Sequence, residues 1–369
     1  MLIHVQKQKV FFIYKEEINM KKIIVAVIFG GCSNEYEVSL QSAYSVITHM
    51  DHDKYEKVLI GITKEGRWYR YQGSVEKILN NTWWSDEANC TPAFFSPNRY
   101  VNYLLENRNG HITETMLDIV FPVLHGKNGE DGTLQGYLEL AGIPYVGCDI
   151  LSSALCMDKD HAHKLVEREG IKTPASIVFS RTQLMEEIVT QTGHLHLPLF
   201  VKPVKSGSSI GITLVTEKED LPRAVAEAFS HDERIIIEEY IEGFEVGCAI
   251  LGNDDLIVGE VDEIELETEY FDFNEKYTLT TSNIHMPARI DKDMTAKVKD
   301  TAIQIYRALG CSGLARVDMF ITPNGNIVFN EVNTFPGFTD HSRYPNMMKG
   351  IGLTFSEIID RLIQLGLER

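Results

Sequence analysis

The sequence has no CxxC pair, and its six cysteines (Cys32, Cys90, Cys148, Cys156, Cys248 and Cys311) are scattered along 369 residues. Spacings this irregular in a long chain argue against a disulfide framework and for free thiols in a reducing cytoplasm. No apolar run approaches the roughly 18 residues of a membrane-spanning helix, so no membrane partner is expected. The first 19 residues hold one short apolar patch, Val10 to Tyr14, without a small-residue cleavage site, which is not the pattern of a secretory signal. A strand signal begins directly after Met20, so residues 1–19 read as a non-essential extension and Met20 as an alternative start. Positive charge is scarce: 35 Lys and Arg stand against 53 Asp and Glu, a formal net charge of -18. That balance weighs against nucleic acid or an anionic membrane as the main partner, although a local cluster of Lys and Arg can still take the phosphates of a nucleotide. Internal repeats, low-complexity tracts and a G-x-x-x-x-G-K-[ST] phosphate loop are also missing.

What is present is a chain that is 44% hydrophobic and long enough for two or three packed domains. Strand and helix patterns alternate, the mark of α/β layers. Ile23 to Phe29 is a continuous β-branched and apolar run, as in a buried parallel strand, and it ends in Gly30-Gly31. A helix follows with Val38, Leu40, Ala43, Val46, Ile47 and Met50 on one face. Lys57–Thr63 and Leu117–Leu124 read as strands and Asp131–Leu140 as a helix, while Gly73 to Gly110 reads as polar and irregular. Further on, strands are expected at 199–203, 212–215, 234–239, 245–251 and 256–264, helices at 158–169, 219–229 and 294–309, and a hairpin of strands 313–320 and 327–332. The hairpin turns at Pro323-Asn324-Gly325, where Pro fixes φ and Asn-Gly tolerates positive φ.

Four segments carry candidate chemistry. On the hairpin, Arg316 and Asp318 alternate on one strand and Glu331 and Asn333 on the next, so all four can share a face. Two carboxylates and an amide oxygen suit Mg²⁺, which keeps waters and is completed by substrate phosphates. The alternative is a surface ion-pair cluster, but the strands are strongly apolar, and a buried carboxylate needs a metal or a cation. The second segment, Val201 to Gly211 (VKPVKSGSSIG), places Lys202 on a strand before a Gly/Ser loop whose backbone N–H groups can close on phosphate; alone, such a loop is more often a plain turn. Lys159, at a helix start, is of the kind usually solvated. The third, Ile235 to Leu251, runs from an apolar strand into Glu238, Tyr240, Ile241 and Glu245, and fits either an adenine-facing hinge or an ordinary bend. In the fourth, Phe29 to Leu40 (FGGCSNEYEVSL), Gly-Gly between strand and helix makes an anion site, while Glu35 and Glu37 would repel phosphate but could hold an ammonium group.

Together with LHGKNGEDGTLQGYLELAGIPYVG and EVNTFPGFTDHS, these segments resemble the D-alanine–D-alanine ligase family of ATP-grasp enzymes, over nearly all of Lys21 to Leu365. The resemblance implies a three-domain α/β fold: an N-terminal parallel-sheet domain (20–141), a central domain (142–235) and a C-terminal domain (236–369), the last two clamping ATP. The loop 266–284 would be a lid. By the same resemblance Lys159, Lys202 and Ser209 contact ATP, Glu238 and Ile241 face the adenine, and Glu245 the ribose. Asp318, Glu331 and Asn333 hold two Mg²⁺ (or Mn²⁺) ions. Glu35 binds the ammonium of the first D-alanine in a chain with Ser208 and Tyr277, and Lys276 reaches the γ-phosphate. Arg316 and the Gly337 amide stabilise the oxyanion, Ser342 binds the second carboxylate, and His125 sits near that subsite. A cytoplasmic homodimer is implied as well.

Two departures bear on the second amino acid. Common family members have leucine where Arg343 stands and tyrosine where Phe271 stands. Both changes resemble the vancomycin-resistance D-alanine–D-serine ligases of the VanC, VanE and VanG group, the VanG type above all. A guanidinium offers forked donors to a hydroxyl or carboxylate, and a hydrogen-bonding pocket selects a hydroxyl where an apolar one cannot. Retention of Lys276-Tyr277 argues against the D-lactate-using group. The function implied is an ATP-dependent D-alanine–D-serine ligase acting through an acyl phosphate, with D-alanine and D-serine as substrates; the alternative is the D-alanine–D-alanine ligase of ordinary cell-wall synthesis. A ligand-binding module without chemistry would have no use for the four polar groups of the hairpin.

Overall fold

The structure, a computed structural model, describes residues 21–99, 101–266 and 282–369. Its first sheet starts with β1 (Ile23–Gly30), buried along almost its whole length. A strand apolar on both faces needs cover on both sides, and parallel pairing supplies neighbours of the same kind. The other strands of this sheet are β2 (Tyr55–Ile62), β3 (Trp68–Tyr71), β4 (Cys90–Phe95), β5 (Tyr103–Arg108), β6 (His111–Met116) and β7 (Ile119–Pro122). Their order is β6-β5-β4-β3-β2-β1-β7. Only β7, β1 and β2 run parallel, and the remaining pairs are antiparallel. The expected parallel sheet is therefore mixed, and the stretch expected to be irregular contains all of β4 and β5. Its hydrophobic signal is faint for physical reasons. β4 buries only alternate residues and includes Pro92, and β5 buries only Leu104 and Glu106.

Helix α1 (Tyr36–His49) lays Tyr36, Leu40, Ala43, Val46 and Ile47 into the core beside β1. Helices α2 (Thr133–Ala141), α3 (Ile150–Met157) and α4 (Lys159–Arg168) then lead out of the first domain. Asp149 and Asp158 cap α3 and α4 by accepting the amides of Ser152 and His161, so the two helices meet at a capped turn.

The second sheet holds β8 (Ser176–Ser180), β9 (Leu199–Pro203), β10 (Thr213–Val215) and β11 (Arg234–Glu239) in the antiparallel order β10-β9-β11-β8. Helix α5 (Leu221–His231) covers it with Leu221, Ala224, Val225 and Ala228. β11 runs unbroken across position 235/236, where the sequence pattern places a change of domain.

The third sheet comprises β12 (Phe244–Gly252), β13 (Ile257–Leu266), β14 (Ser282–His285), β15 (Gly313–Ile321) and β16 (Ile327–Asn333), ordered β14-β13-β12-β15-β16 and antiparallel throughout. Helix α6 (Lys292–Ala308) packs Val298, Ala302 and Ile305 on one face of it. Helix α7 (Arg343–Gly350) follows the loop after β16.

Helix α8 (Phe355–Leu367) opens with a capping box between Thr354 and Glu357. It packs against Ala249, Leu251 and Leu314 of the third sheet and reaches beyond them. Phe355, Ile358, Ile359, Leu362 and Ile363 share one core with Val25, Val27, Phe29, Val46 and Phe121 of the first domain. Tyr55 Oη and Lys54 Nζ donate to Asp360 at 2.5 and 3.0 Å, and Ser356 Oγ donates to the His49 carbonyl at 2.8 Å. Among the described residues no helix is long and apolar enough to cross a membrane.

Candidate active site

The β15–β16 hairpin pairs Arg316 with Asn333 and Asp318 with Glu331. After Asp318 the register slips so that Met319 pairs with Phe329, leaving Asn330 as the extra residue of a bulge. The bulge interrupts the ladder where the polar residues begin, and pairing resumes from Asp318–Glu331 to Arg316–Asn333. Asp318 is 1% exposed. Arg316 grips it with Nε at 2.8 Å and Nη2 at 2.7 Å, and Asn333 Nδ2 donates to the same carboxylate at 2.9 Å. The cation that burial demands for Asp318 is thus an arginine, which weakens the step from burial to metal. The donor set still fits a hard divalent ion. Glu331 faces the cavity, and Asn333, with its Nδ2 committed to Asp318, is left with its amide oxygen for a metal.

Two cavities adjoin this hairpin, of about 600 and about 460 Å³, and the linings of both include Lys159, Glu245 and Glu331. In the smaller, Phe200, Ile212, Tyr240, Ile241 and Phe244 supply apolar walls. At its polar end Lys202 donates to Glu238 at 2.5 Å. Burial pushes the Glu238 carboxyl up, but the charges of Lys202 and His163 outweigh it and hold it below the usual carboxylate range. Its other oxygen, Oε1, is buried with no hydrogen-bond partner among the described residues. A buried carboxylate oxygen left over in an apolar slot is suited to a flat ligand with an exocyclic amine. Lys159, of a kind usually solvated, is buried here, its Nζ donating to the Ser206 carbonyl at 2.7 Å and lying 3.9 Å from Glu331. Ser208 and Ser209 adopt φ of 51° and 58°, a left-handed conformation that costs energy in any residue but glycine. These consecutive serines line different cavities, Ser208 the larger and Ser209 the smaller.

The larger cavity gathers Glu35, His125, Gly337, Ser342 and Arg343. Ser208 Oγ donates to Glu35 across the domain boundary. Gly126 has a φ of 69°, and any Cβ there would lie 2.3 Å from Glu35 Oε2, so only glycine leaves room for that carboxylate. Burial pulls His125 below the ordinary imidazole range, with Glu35 partly offsetting it. The ring is therefore neutral. Because a carbonyl cannot donate, Nδ1 carries the proton and gives it to Phe335 O at 3.0 Å, and Nε2 accepts from Ser42 Oγ at 2.9 Å. Ser42 Oγ in turn accepts the Phe338 amide at 3.2 Å. Among the described residues nothing accepts the Gly337 N–H, as an oxyanion donor requires. Ser342 Oγ accepts the Thr339 amide at 2.9 Å. Phe271, Lys276 and Tyr277 lie outside the described residues.

Three residues of this site escaped sequence reasoning. Glu130 accepts the amides of Gly126 at 2.6 Å and Phe335 at 3.0 Å, and burial together with the charge of Glu35 raises its carboxyl to about 8. Asp262, fully buried on β13, takes Arg343 Nε and Nη2, each at 2.7 Å. Gly247 on β12 is the third. It pairs with Asp262 on one side and Asp318 on the other, and a Cβ there would meet Arg343 Nη2 at 2.3 Å. The glycine is the space into which the guanidinium fits. The third donor, Nη1, reaches Glu245 at 3.1 Å. Arg343 is thus not the free fork that its sequence position suggests, and Glu245, expected at a ribose, already holds an arginine. A glycine inside an apolar strand was the available signal, since it marks a close approach. Gly247→Ala is expected to displace Arg343 and cost about 1 to 3 kcal/mol; thermal unfolding checks this, and an unchanged melting temperature counts against it.

Two family models match the chain: D-ala D-ala ligase N-terminus over residues 24–148 and D-ala D-ala ligase C-terminus over residues 165–364. A D-alanine–D-alanine ligase of Caldicellulosiruptor bescii is 45% identical over 355 residues, 95% of this chain and 96% of that protein. The vancomycin C-type resistance protein VanC1 of Enterococcus gallinarum is also 45% identical, over 95% of this chain and 99% of its own. Among solved structures, the VanG D-Ala:D-Ser ligase from Enterococcus faecalis superposes with a TM-score of 0.87 at 58% identity, covering 94% of this chain and all of that one.

Proposed function

Because the chain belongs to the D-alanine–D-alanine ligase family, we propose that it joins D-alanine to D-serine. It is an ATP-dependent, ADP-forming peptide ligase. The observation that carries the choice of D-serine is Arg343 in the wall of the larger cavity, one residue after Ser342. The 58% identity to a D-Ala:D-Ser ligase supports it. The product would serve peptidoglycan precursors that resist vancomycin, made in the cytoplasm by a homodimer.

The two cavities divide the work. The smaller takes the nucleotide, its adenine against Ile241 and Glu238, with Lys159, Lys202 and Ser209 toward the phosphates. The larger takes the amino acids. Glu35 pairs with the ammonium of the first D-alanine, so its carboxylate points to the shared wall of Lys159 and Glu331. There the carboxylate accepts the γ-phosphoryl group, since a free carboxylate is a poor acyl donor. Asp318, Glu331 and Asn333 would hold Mg²⁺, or Mn²⁺, whose charge offsets that of the moving phosphoryl group. Arg316 and the Gly337 amide face the oxygen that turns anionic when the second amine attacks the acyl phosphate. Ser342 takes the second carboxylate, and Arg343, braced by Asp262 and Glu245, presents its remaining donor hydrogens to the D-serine hydroxyl.

The test is competition: equal D-alanine and D-serine with ATP, followed by analysis of the dipeptides. D-alanyl-D-serine should predominate. Mainly D-alanyl-D-alanine would sink the D-serine reading and leave the ligase. That second reading is favoured by one observation, that most of the Arg343 donors are engaged within the protein.

A further inference from the structure

We propose that Glu130 is a positioning residue of the ligation: from the N-terminal domain it fixes the 335–338 loop of the C-terminal domain, and with it the Gly337 amide. The proposal rests on Gly337 as oxyanion donor and not on which second amino acid is used.

The loop between β16 and α7 has no ladder of its own around Gly337, because β16 ends at Asn333. Its anchors come from the other domain. Both polar groups of Phe335 are held there, the N–H by Glu130 Oε1 at 3.0 Å and the carbonyl by His125 Nδ1 at 3.0 Å. Phe338 is held three residues on, its N–H donated to Ser42 Oγ at 3.2 Å. The rings of both phenylalanines lie edge-on to Phe121 of β7, at 6.1 and 6.4 Å. Gly337 therefore sits between two fixed residues with its own N–H uncommitted.

Glu130 is suited to this task and to little else. Its second oxygen, Oε2, takes the Gly126 amide at 2.6 Å, which ties the same carboxylate to the turn that seats Glu35. It has no ion pair among the described residues, so in its ionised form, above about pH 8, its charge is met by backbone amides. A carboxylate accepts at both oxygens, whereas a carboxamide accepts at one. Glu130→Gln keeps the size and loses either the Phe335 or the Gly126 anchor.

The experiment is steady-state ADP release, run above pH 8 where the Glu130 carboxyl is ionised, with D-alanine and with D-serine or D-alanine as acceptor, so it reads ligation whichever dipeptide forms. Glu130→Gln should lower kcat about 100-fold, the loss expected when one oxyanion donor is misplaced. The KM values for ATP and the first D-alanine should stay within about threefold. Ser42→Ala should act in the same direction with a loss of about tenfold, and the double variant should lose less than the product of the two, since both hold one loop. An unchanged kcat in Glu130→Gln overturns the proposal. So does a loss carried by the KM of the first D-alanine alone, because Glu130 would then be a substrate ligand. If Glu130→Gln does not fold, Ser42→Ala decides, and an unchanged kcat there overturns the proposal as well.

Discussion

Arg343→Leu is expected to destabilise the protein by about 3 to 5 kcal/mol, apart from any change in product. Asp262 is fully buried, and its two strong bonds both come from Arg343. Removing the guanidinium leaves that carboxylate in an apolar sheet, with only the Gly247 amide as donor, at 3.0 Å. A loss of this size lowers the melting temperature by about 5 to 10 °C in a chain of this length. The variant alone therefore confounds stability with selectivity. Asp262→Asn combined with Arg343→Leu should recover most of the loss, because the neutral amide keeps the bond from Gly247 and no longer needs a cation. Product ratios measured on that double variant isolate the role of Arg343, and a shift toward D-alanyl-D-alanine is expected. An Arg343→Leu variant that melts with the parent would refute the buried-pair account. An unchanged ratio in the double variant would remove Arg343 as the selector.

Arg316→Lys should lower kcat by about 100- to 1000-fold while the fold persists. The side chain serves two ends. It grips Asp318 through two nitrogens, and it lines the larger cavity, as Gly337 does. A lysine keeps the charge but has no planar fork, so it cannot hold the carboxylate by two bonds and face an oxyanion at once. Asp318 would turn, and the oxygen set offered to magnesium would turn with it. The loss should appear in kcat rather than in ADP affinity, because the adenine slot proposed above is the smaller cavity, whose lining does not include Arg316. ADP binding by calorimetry alongside turnover checks this. A kcat within tenfold of the parent would show that Arg316 serves only to neutralise Asp318.

Much of the centre of the molecule was legible because its periodicity is strong. β1, β11, β12, β15 and β16 are apolar runs bounded by Gly, Pro or charge, and they lie within about two residues of expectation. The rim was not. β4 and β5 are half-exposed, and exposed strands carry little pattern. Individual side chains divided in the same way. Glu35, Ser208, Asp318 and Asn333 belong to segments picked out in the sequence, and all four line the larger cavity. Glu130, Ser42 and Asp262 act on partners up to 296 residues away, and no local spacing encodes such a pairing. Lys159 was legible only through the resemblance, because a lysine at a helix start is usually solvated and its burial here comes with its bond to the 201–211 loop.

The path of α8 has a consequence for how the chain is made. Its apolar face completes the core of a sheet whose first strand is synthesised more than three hundred residues earlier. During translation the emerging N-terminal domain must wait, with Val25, Phe29 and Phe121 incompletely covered, until Phe355 to Ile363 have left the ribosome. The second sheet, whose core takes nothing from α8, can form before that point. The wall carrying Glu35, His125 and Glu130 belongs to the domain whose core this helix completes, so the larger cavity depends on a segment that is synthesised long after its own first residues.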